Sequence, residues 1–291
     1  MGITVTKIDH FSGHRQSVYD LHAVDANSFI SVGGDGMAVL WRCAEKDGTL
    51  VAQIPAAIFC LEIHHDMLFL GTRLGEIYSL DFKHKLLKNQ SKADNSALFA
   101  LHHDGNSLWA GGQMGRLMEL DPVSLELKSF VQVSDKSIRR LYAQGEHLIV
   151  CCSDGSVYVY DKASRKIIAQ QRCSDNSVFA WQSRNGAAFT AGRDARIHQW
   201  EEQTEVQDVN AHWYTINDLS LNPELPLLAS ASMDKSVKIW QELDLKLLKV
   251  IDKERLEAHS SSVNRLLWLD AERLVTCSDD RSVQLFRIEM N

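Results

Sequence analysis

A period runs through the chain. Asp234, in the stretch SASMDKSVKIW at residues 230 to 240, follows a small hydroxyl residue and precedes an alternating apolar run that ends in Trp240. Asp194 in TAGRDARIHQW and Asp154 in VCCSDGSVYVY hold the same place 40 and 80 residues earlier. Two further steps reach Met114 in AGGQMGRLMEL and Leu74 in LGTRLGEIYSL, where the acid is gone but the surrounding pattern survives. Asp35 in SVGGDGMAVLW and Asp280 in TCSDDRSVQLF complete the series, so the chain holds seven copies of one unit. A unit this small cannot bury both of its faces alone, and the copies must stack and cover one another.

Each copy reads as four short strands. A β-prone run such as SVYDLHAV or TINDLSLN leads through a turn rich in Asp, Asn or Gly into a second apolar run, the anchor turn, and an alternating third run such as Ser236-Val237-Lys238-Ile239-Trp240. A more polar fourth run follows, for example LELKSFVQV at residues 125 to 133. Four strands in about 40 residues is the pattern of a propeller blade. The chain is therefore read as all-β, a single seven-bladed β-propeller of four-stranded antiparallel blades over residues 1–291. Its blades fall near 14–53, 54–92, 93–132, 133–172, 173–210, 211–257 and 258–291 plus 3–9. The last copy stops after its third run, SVQLFRIEMN, while an unassigned β-prone segment, GITVTKIDHF, precedes the first. Residues 3 to 9 are expected to supply the missing outer strand of the seventh blade, which closes the ring and removes two open edges. The longer spacing before the last copy is expected to form a charged loop at Lys253 to Glu257.

Composition narrows the function. The net charge is −7 with both signs interspersed, which argues against general binding to nucleic-acid backbones. No run approaches the roughly 18 apolar residues of a membrane span. Lys7, Asp9 and His10 interrupt the first segment, which therefore lacks the apolar core of a secretion signal. A cytoplasmic, membrane-free, monomeric propeller is expected. Six cysteines at 43, 60, 151, 152, 173 and 277 form no C-x-x-C pair and read as buried thiols. No phosphate-binding glycine loop, dinucleotide fingerprint, calcium loop or nucleophile elbow is present, so no cofactor and no metal is expected.

The recurring polar residues carry a resemblance. His212, Ser230, Asp234 and Trp240 occupy fixed positions in copy six, and His14, Ser31, Asp35 and Trp41 occupy the same ones in copy one. These quartets resemble the structural tetrad of the WD-repeat family, which implies that the turn Asp orients the His, the His contacts the hydroxyl, and the hydroxyl contacts the indole. The residue types suit a buried chain of that kind, since carboxylate, imidazole, hydroxyl and indole can satisfy one another. A lone His–Ser–Asp set would suggest a hydrolase triad, but recurrence at blade spacing argues for scaffolding. Copy seven keeps His259, Thr276 and Asp280 but ends in Phe286; copy five keeps Thr190, Asp194 and Trp200 with Ser174 in place of the His. Copy four keeps Asp154 with Tyr160, and copies two and three have lost all four members. Incomplete copies are expected to leave buried polar groups in need of water.

The resemblance also implies a rim of partner-binding residues on the face that carries the anchor turns. The fifth position after the tetrad His reads Tyr19, Phe59, Phe99, Arg139, Phe179, Asn217 and Asn264; the residues before the turn anchor include Arg73, Arg193 and Asp279. Aromatic residues and Arg are frequent interface anchors, and a patch of them suits an extended peptide, with acidic or phosphorylated motifs matching the arginines. Alternatively the phenylalanines pack between neighbouring blades, and their exposure decides. The pairs His64-His65 and His102-His103 read as surface turns, not metal ligands, because neighbouring strand residues point oppositely and no Cys or carboxylate set joins them. The expected function is a non-enzymatic scaffold or adaptor for a protein or peptide partner, including a modified peptide tail; the alternative is a propeller enzyme, lactonase- or dehydrogenase-like, with its site at the channel mouth.

Overall fold

The computed structural model describes residues 2–290, which form seven four-stranded antiparallel sheets and one single-turn helix. In the first sheet Val18–Asp25, Ser28–Gly33, Met37–Arg42 and Thr49–Gln53 follow in order from the axis outward. Five more sheets repeat that order, with innermost strands Ile58–His64, Leu98–His103, Ile138–Gln144, Val178–Arg184 and Ile216–Leu221. The seventh combines Val263–Trp268, Arg273–Ser278 and Ser282–Met290 with Ile3–Ser12 from the other end of the chain. That strand runs antiparallel to the last one, from Ile3 opposite Met290 to Ser12 opposite Ser282, so the expected clasp forms and extends past residue 9. Each innermost strand packs on the next, and Val263–Trp268 packs on Val18–Asp25, which closes the ring.

Stability comes from between the blades. Second strands such as Leu227–Ser232 are buried at every residue, while outer strands such as Lys166–Arg172 alternate exposed and half-buried. Ile30 and Val32 of the first blade pack on Leu68, Leu70 and Tyr78 of the second. Each fully buried side chain of this size contributes about 1.5–3 kcal/mol. In blades two and three, Leu70 and Leu80, then Ala110 and Leu120, fill the hydroxyl and Trp positions and are buried. Apolar packing replaces the polar quartet there, as their sequence requires.

The anchor turns need a left-handed residue. Gly115 has φ 69°, and a Cβ built on it would lie 1.9 Å from the Ser134 carbonyl oxygen. Gly36, Gly75 and Gly155 repeat that geometry, whereas Ala195, Lys235 and Arg281 adopt the same region with side chains. The charged segment before blade seven differs from the expected loop: Lys253–Leu256 forms one helical turn. Asp252 caps it by accepting from the Arg255 amide at 2.9 Å, and Glu257 ends it in a left-handed conformation. All six cysteines are free, and burial pushes the Cys173 thiol up to about 12.

Candidate binding site at the channel mouth

The quartets brace the blades from within. In blade six, Nδ1 of His212 lies 2.8 Å from Asp234, Nε2 lies 2.7 Å from the Ser230 hydroxyl, and the Trp240 indole donates to that hydroxyl at 2.8 Å. An acceptor-only carboxylate requires the proton on Nδ1, so Ser230 donates to Nε2 and the chain runs one way from indole to acid. Burial favours the neutral acid, yet the hydrogen bonds from His212 and Ser236 hold Asp234 well below the usual carboxylate range. Blade one repeats the set: His14 lies 3.0 Å from Asp35 and 2.7 Å from Ser31, to which Trp41 donates at 2.7 Å. In blade seven His259 contacts Asp280 at 3.0 Å and Thr276 at 2.8 Å without an indole.

Blades four and five are not left short of partners, which corrects the expectation that their incomplete quartets need water. Ser134 and Ser174 stand in the His position and donate to Asp154 at 2.5 Å and Asp194 at 2.6 Å. The missing ring arrives from the third strand, where Tyr158 donates to Asp154 at 2.7 Å and His198 lies 3.0 Å from Asp194. The two substitutions occur together, 40 residues apart in each case.

The mouth itself is built by seven bulges. Val18 pairs with Gly33 and Asp20 with Val32, so Tyr19 is skipped by the ladder. Phe59, Phe99, Arg139, Phe179, Asn217 and Asn264 are skipped in the same way at the second residue of their strands. A bulge breaks the alternation and re-aims a side chain, and here all seven turn toward the axis. They line one cavity of about 230 Å³, together with Arg265. The rings of Tyr19 and Phe59 meet edge to face at 5.1 Å, and Phe59 stacks on Phe99 at 5.8 Å. The Arg139 guanidinium lies between Phe99 and Phe179, 4.5 and 4.7 Å from their centroids. Burial and the nearby Arg265 pull Arg139 down to about 10. Asn217 and Asn264 donate their amides to the Val263 and Val18 carbonyls, both at 2.8 Å, tying neighbouring blades together. The phenylalanines are half-buried and face the cavity.

Below lies a charged cluster formed by four of the seven next residues along, Asp20, Arg140, Asp218 and Arg265. Arg265 donates to Asp20 at 2.8 Å, and Arg140 reaches Asp20 and Asp218 at 3.5 Å each. Asp20 also accepts from the Leu61 amide of blade two, and Asp218 from the Leu266 amide of blade seven. Burial alone would lower Arg140, but Asp218 and Asp20 raise it. Both carboxylates are thus bound into the wall.

The remaining predicted rim residues sit apart from the cavity. Arg73 and Arg193 are exposed, and Arg73 joins Tyr19 and Phe59 in a groove between blades one and two. Asp279 is half-buried and accepts from the Asn264 amide at 2.8 Å. Arg265 in the cavity, and Trp213 and Tyr214 at 86% and 62% exposure in the loop that leads into the innermost strand Ile216–Leu221, escaped the sequence reading. Their signal was aromatic residues directly after His212, where copy one has Arg15 and Gln16. The His pairs also differ from the turns expected: His64, His102 and His103 end innermost strands, and only His65 lies in a turn. His64 stacks on His103 at 3.9 Å, and burial with that neighbour lowers His103 to about 4.

Comparison with known proteins agrees with this architecture. The family described as WD domain, G-beta repeat, matches residues 5–42, 203–241 and 251–287, the three copies that keep His, hydroxyl and Asp. Protein HIR1 of Candida albicans is 26% identical over 221 residues, covering 69% of this chain and 23% of that protein. The probable cytosolic iron-sulfur protein assembly protein 1 of Kluyveromyces lactis is 26% identical over 144 residues, 44% of this chain and 41% of that one. The chain thus spans less than half the length of these relatives. Among solved structures, the WD40 β-propeller domain of Doa1 superposes with a TM-score of 0.85 at 17% identity, over 97% of this chain and 96% of that one. The computationally designed Ika8 protein gives 0.74 at 16% identity, over 97% and 99%.

Proposed function

The chain carries WD-type repeats in a closed seven-bladed propeller, and from that premise we propose that it is a non-enzymatic scaffold or adaptor that docks a protein or peptide partner across the channel mouth. The observation that carries this reading is the alignment of seven bulge residues, four of them aromatic, around one open cavity. A preformed ring surface opposes binding with little ordering cost, and large rigid side chains around a concave mouth are the usual anchors of an interface. Arg73, Arg193 and Asp279 extend the same proposal to the rim. A channel-mouth enzyme would need free converging carboxylates or histidines, whereas Asp20 and Asp218 are held by guanidiniums and backbone amides. No described helix is long and apolar enough to cross a membrane; the proposal places a monomeric propeller in the cytoplasm without a cofactor.

The test is a quantitative pull-down from native extract with the wild type beside a Phe59/Phe99/Phe179→Ala triple variant of matched folding. Partners retained by the wild type and lost from the variant are expected. Identical partner sets would remove the mouth as the docking site.

A further inference from the structure

The chemistry of the occupant follows from what the mouth already holds. Arg139 lies between two phenylalanine faces, and among the described residues it has no hydrogen-bond or ion-pair partner. A guanidinium satisfied on both faces still presents its N–H groups at the edge, in a fork that matches a carboxylate. The other guanidiniums nearby are engaged, Arg265 on Asp20 and Arg140 on Asp20 and Asp218. Three guanidiniums therefore face two carboxylates, and the excess positive charge rests on Arg139.

That arrangement selects among ligand classes. The aromatic faces that would attract an ammonium group are occupied by a resident cation, so a basic side chain meets repulsion from Arg139 and Arg265. A phosphate carries about −1.5 to −2 charges and would leave roughly one of them uncompensated. A carboxylate matches the single unpaired guanidinium. Asp279, which would repel it, is not part of the cavity wall and is bound to Asn264.

We infer that the mouth takes one acidic side chain of an extended partner peptide, its carboxylate on the edge of Arg139 and its apolar neighbours on Phe59 and Tyr19. This rests on the mouth being the docking site. The peptide's carboxylate gains a charge-assisted bidentate contact in a site walled by aromatic rings, where it is stronger than on an open surface.

Selection of random dodecapeptides by phage display on the purified protein, followed by calorimetry on free peptides, tests it. The wild type is expected to enrich Glu or Asp at one position, and exchanging that residue for Gln or Asn weakens Kd by about tenfold or more. Arg139→Gln keeps a planar group between the rings without the charge and is expected to bring that ratio close to one, while Arg139→Lys keeps part of it. Enriched peptides that are basic or uncharged, or a phosphoserine version that binds more tightly than the acidic one, overturn the carboxylate but leave the docking site standing. Selected peptides indifferent to both Arg139→Gln and Phe99→Ala, or no selected peptide at all, overturn the docking reading itself.

Discussion

Trp240 is 4% exposed, packs on blade five and donates its indole proton to Ser230. Trp240→Ala removes a large buried side chain and a hydrogen bond together, and is expected to cost about 3–5 kcal/mol in urea unfolding. Trp240→Phe keeps most of the packing and isolates the bond, at about 1–2 kcal/mol, the state that Phe286 already represents in blade seven. A Trp240→Ala variant as stable as the wild type would contradict the burial. Glu62 behaves differently because burial raises its carboxyl from 4.5 to about 8 against the opposing backbone hydrogen bond from His103, and among the described residues its one ion-pair partner is His22, at 4.0 Å. The folded chain keeps that proton between about 4.5 and 8 while the unfolded chain releases it, so its contribution is fully present below 4.5 and lost as pH rises through 8. Glu62→Gln should match the wild type near pH 5 and exceed its stability at pH 9 by about 2 kcal/mol or more. Parallel stability curves up to pH 9 would show that the carboxyl is not desolvated.

At the scale of the element, the anchor turn and the bulge are the two features that shape the working face. Gly115→Ala drives a methyl group into the Ser134 carbonyl, while Gly105, with φ 98°, has open space around its Cβ position. Both changes strain a left-handed backbone, so the difference between them, expected at about 2 kcal/mol or more against Gly115→Ala, reports the close approach alone. Equal costs in thermal unfolding would mean that the turn can shift away. The period of Asp turns made the blades readable, because one acid recurring between two apolar runs admits few alternatives. The bulge was not readable. Nothing in Tyr19, Phe59 or Asn217 as residue types signals a skipped ladder position; only the shared register hinted that they converge. The replacement of a tetrad ring by Tyr158 or His198 was hidden for a related reason. These residues sit on the third strand, where alternation predicts only which face they occupy and not that they reach the turn acid. Arg265 escaped because it follows the bulge residue, and only the broken alternation places both on the axis.

For the whole molecule, closure depends on a contact between chain ends that no local propensity supplies. Ile3 and Val5 are buried with Phe286 and Ile288, and Lys7 donates to the Glu257 carbonyl at 2.7 Å. Removing residues 1–10 takes away this strand while leaving Phe11, exposes the edge of Ser282–Met290, and opens the ring between its first and last modules. Loss of about 3 kcal/mol corresponds to a fall of roughly 5–10 °C in the unfolding midpoint for a chain of this size. An exposed edge of nine residues also invites pairing with a second copy, so the truncated chain should associate with rising concentration. A synthetic peptide of residues 1–12, supplied in trans, occupies the same edge and is expected to restore the midpoint in proportion to its concentration. The mouth offers an independent readout, because Asn264 of blade seven donates to Val18 of blade one across the same junction. A loosened junction moves Tyr19 relative to Asn264, so peptide affinity at the mouth should fall with the midpoint and return with the added strand. An unchanged midpoint would show that the inner strands alone hold the ring, and a restored midpoint without restored affinity would show that the clasp does not set the geometry of the mouth.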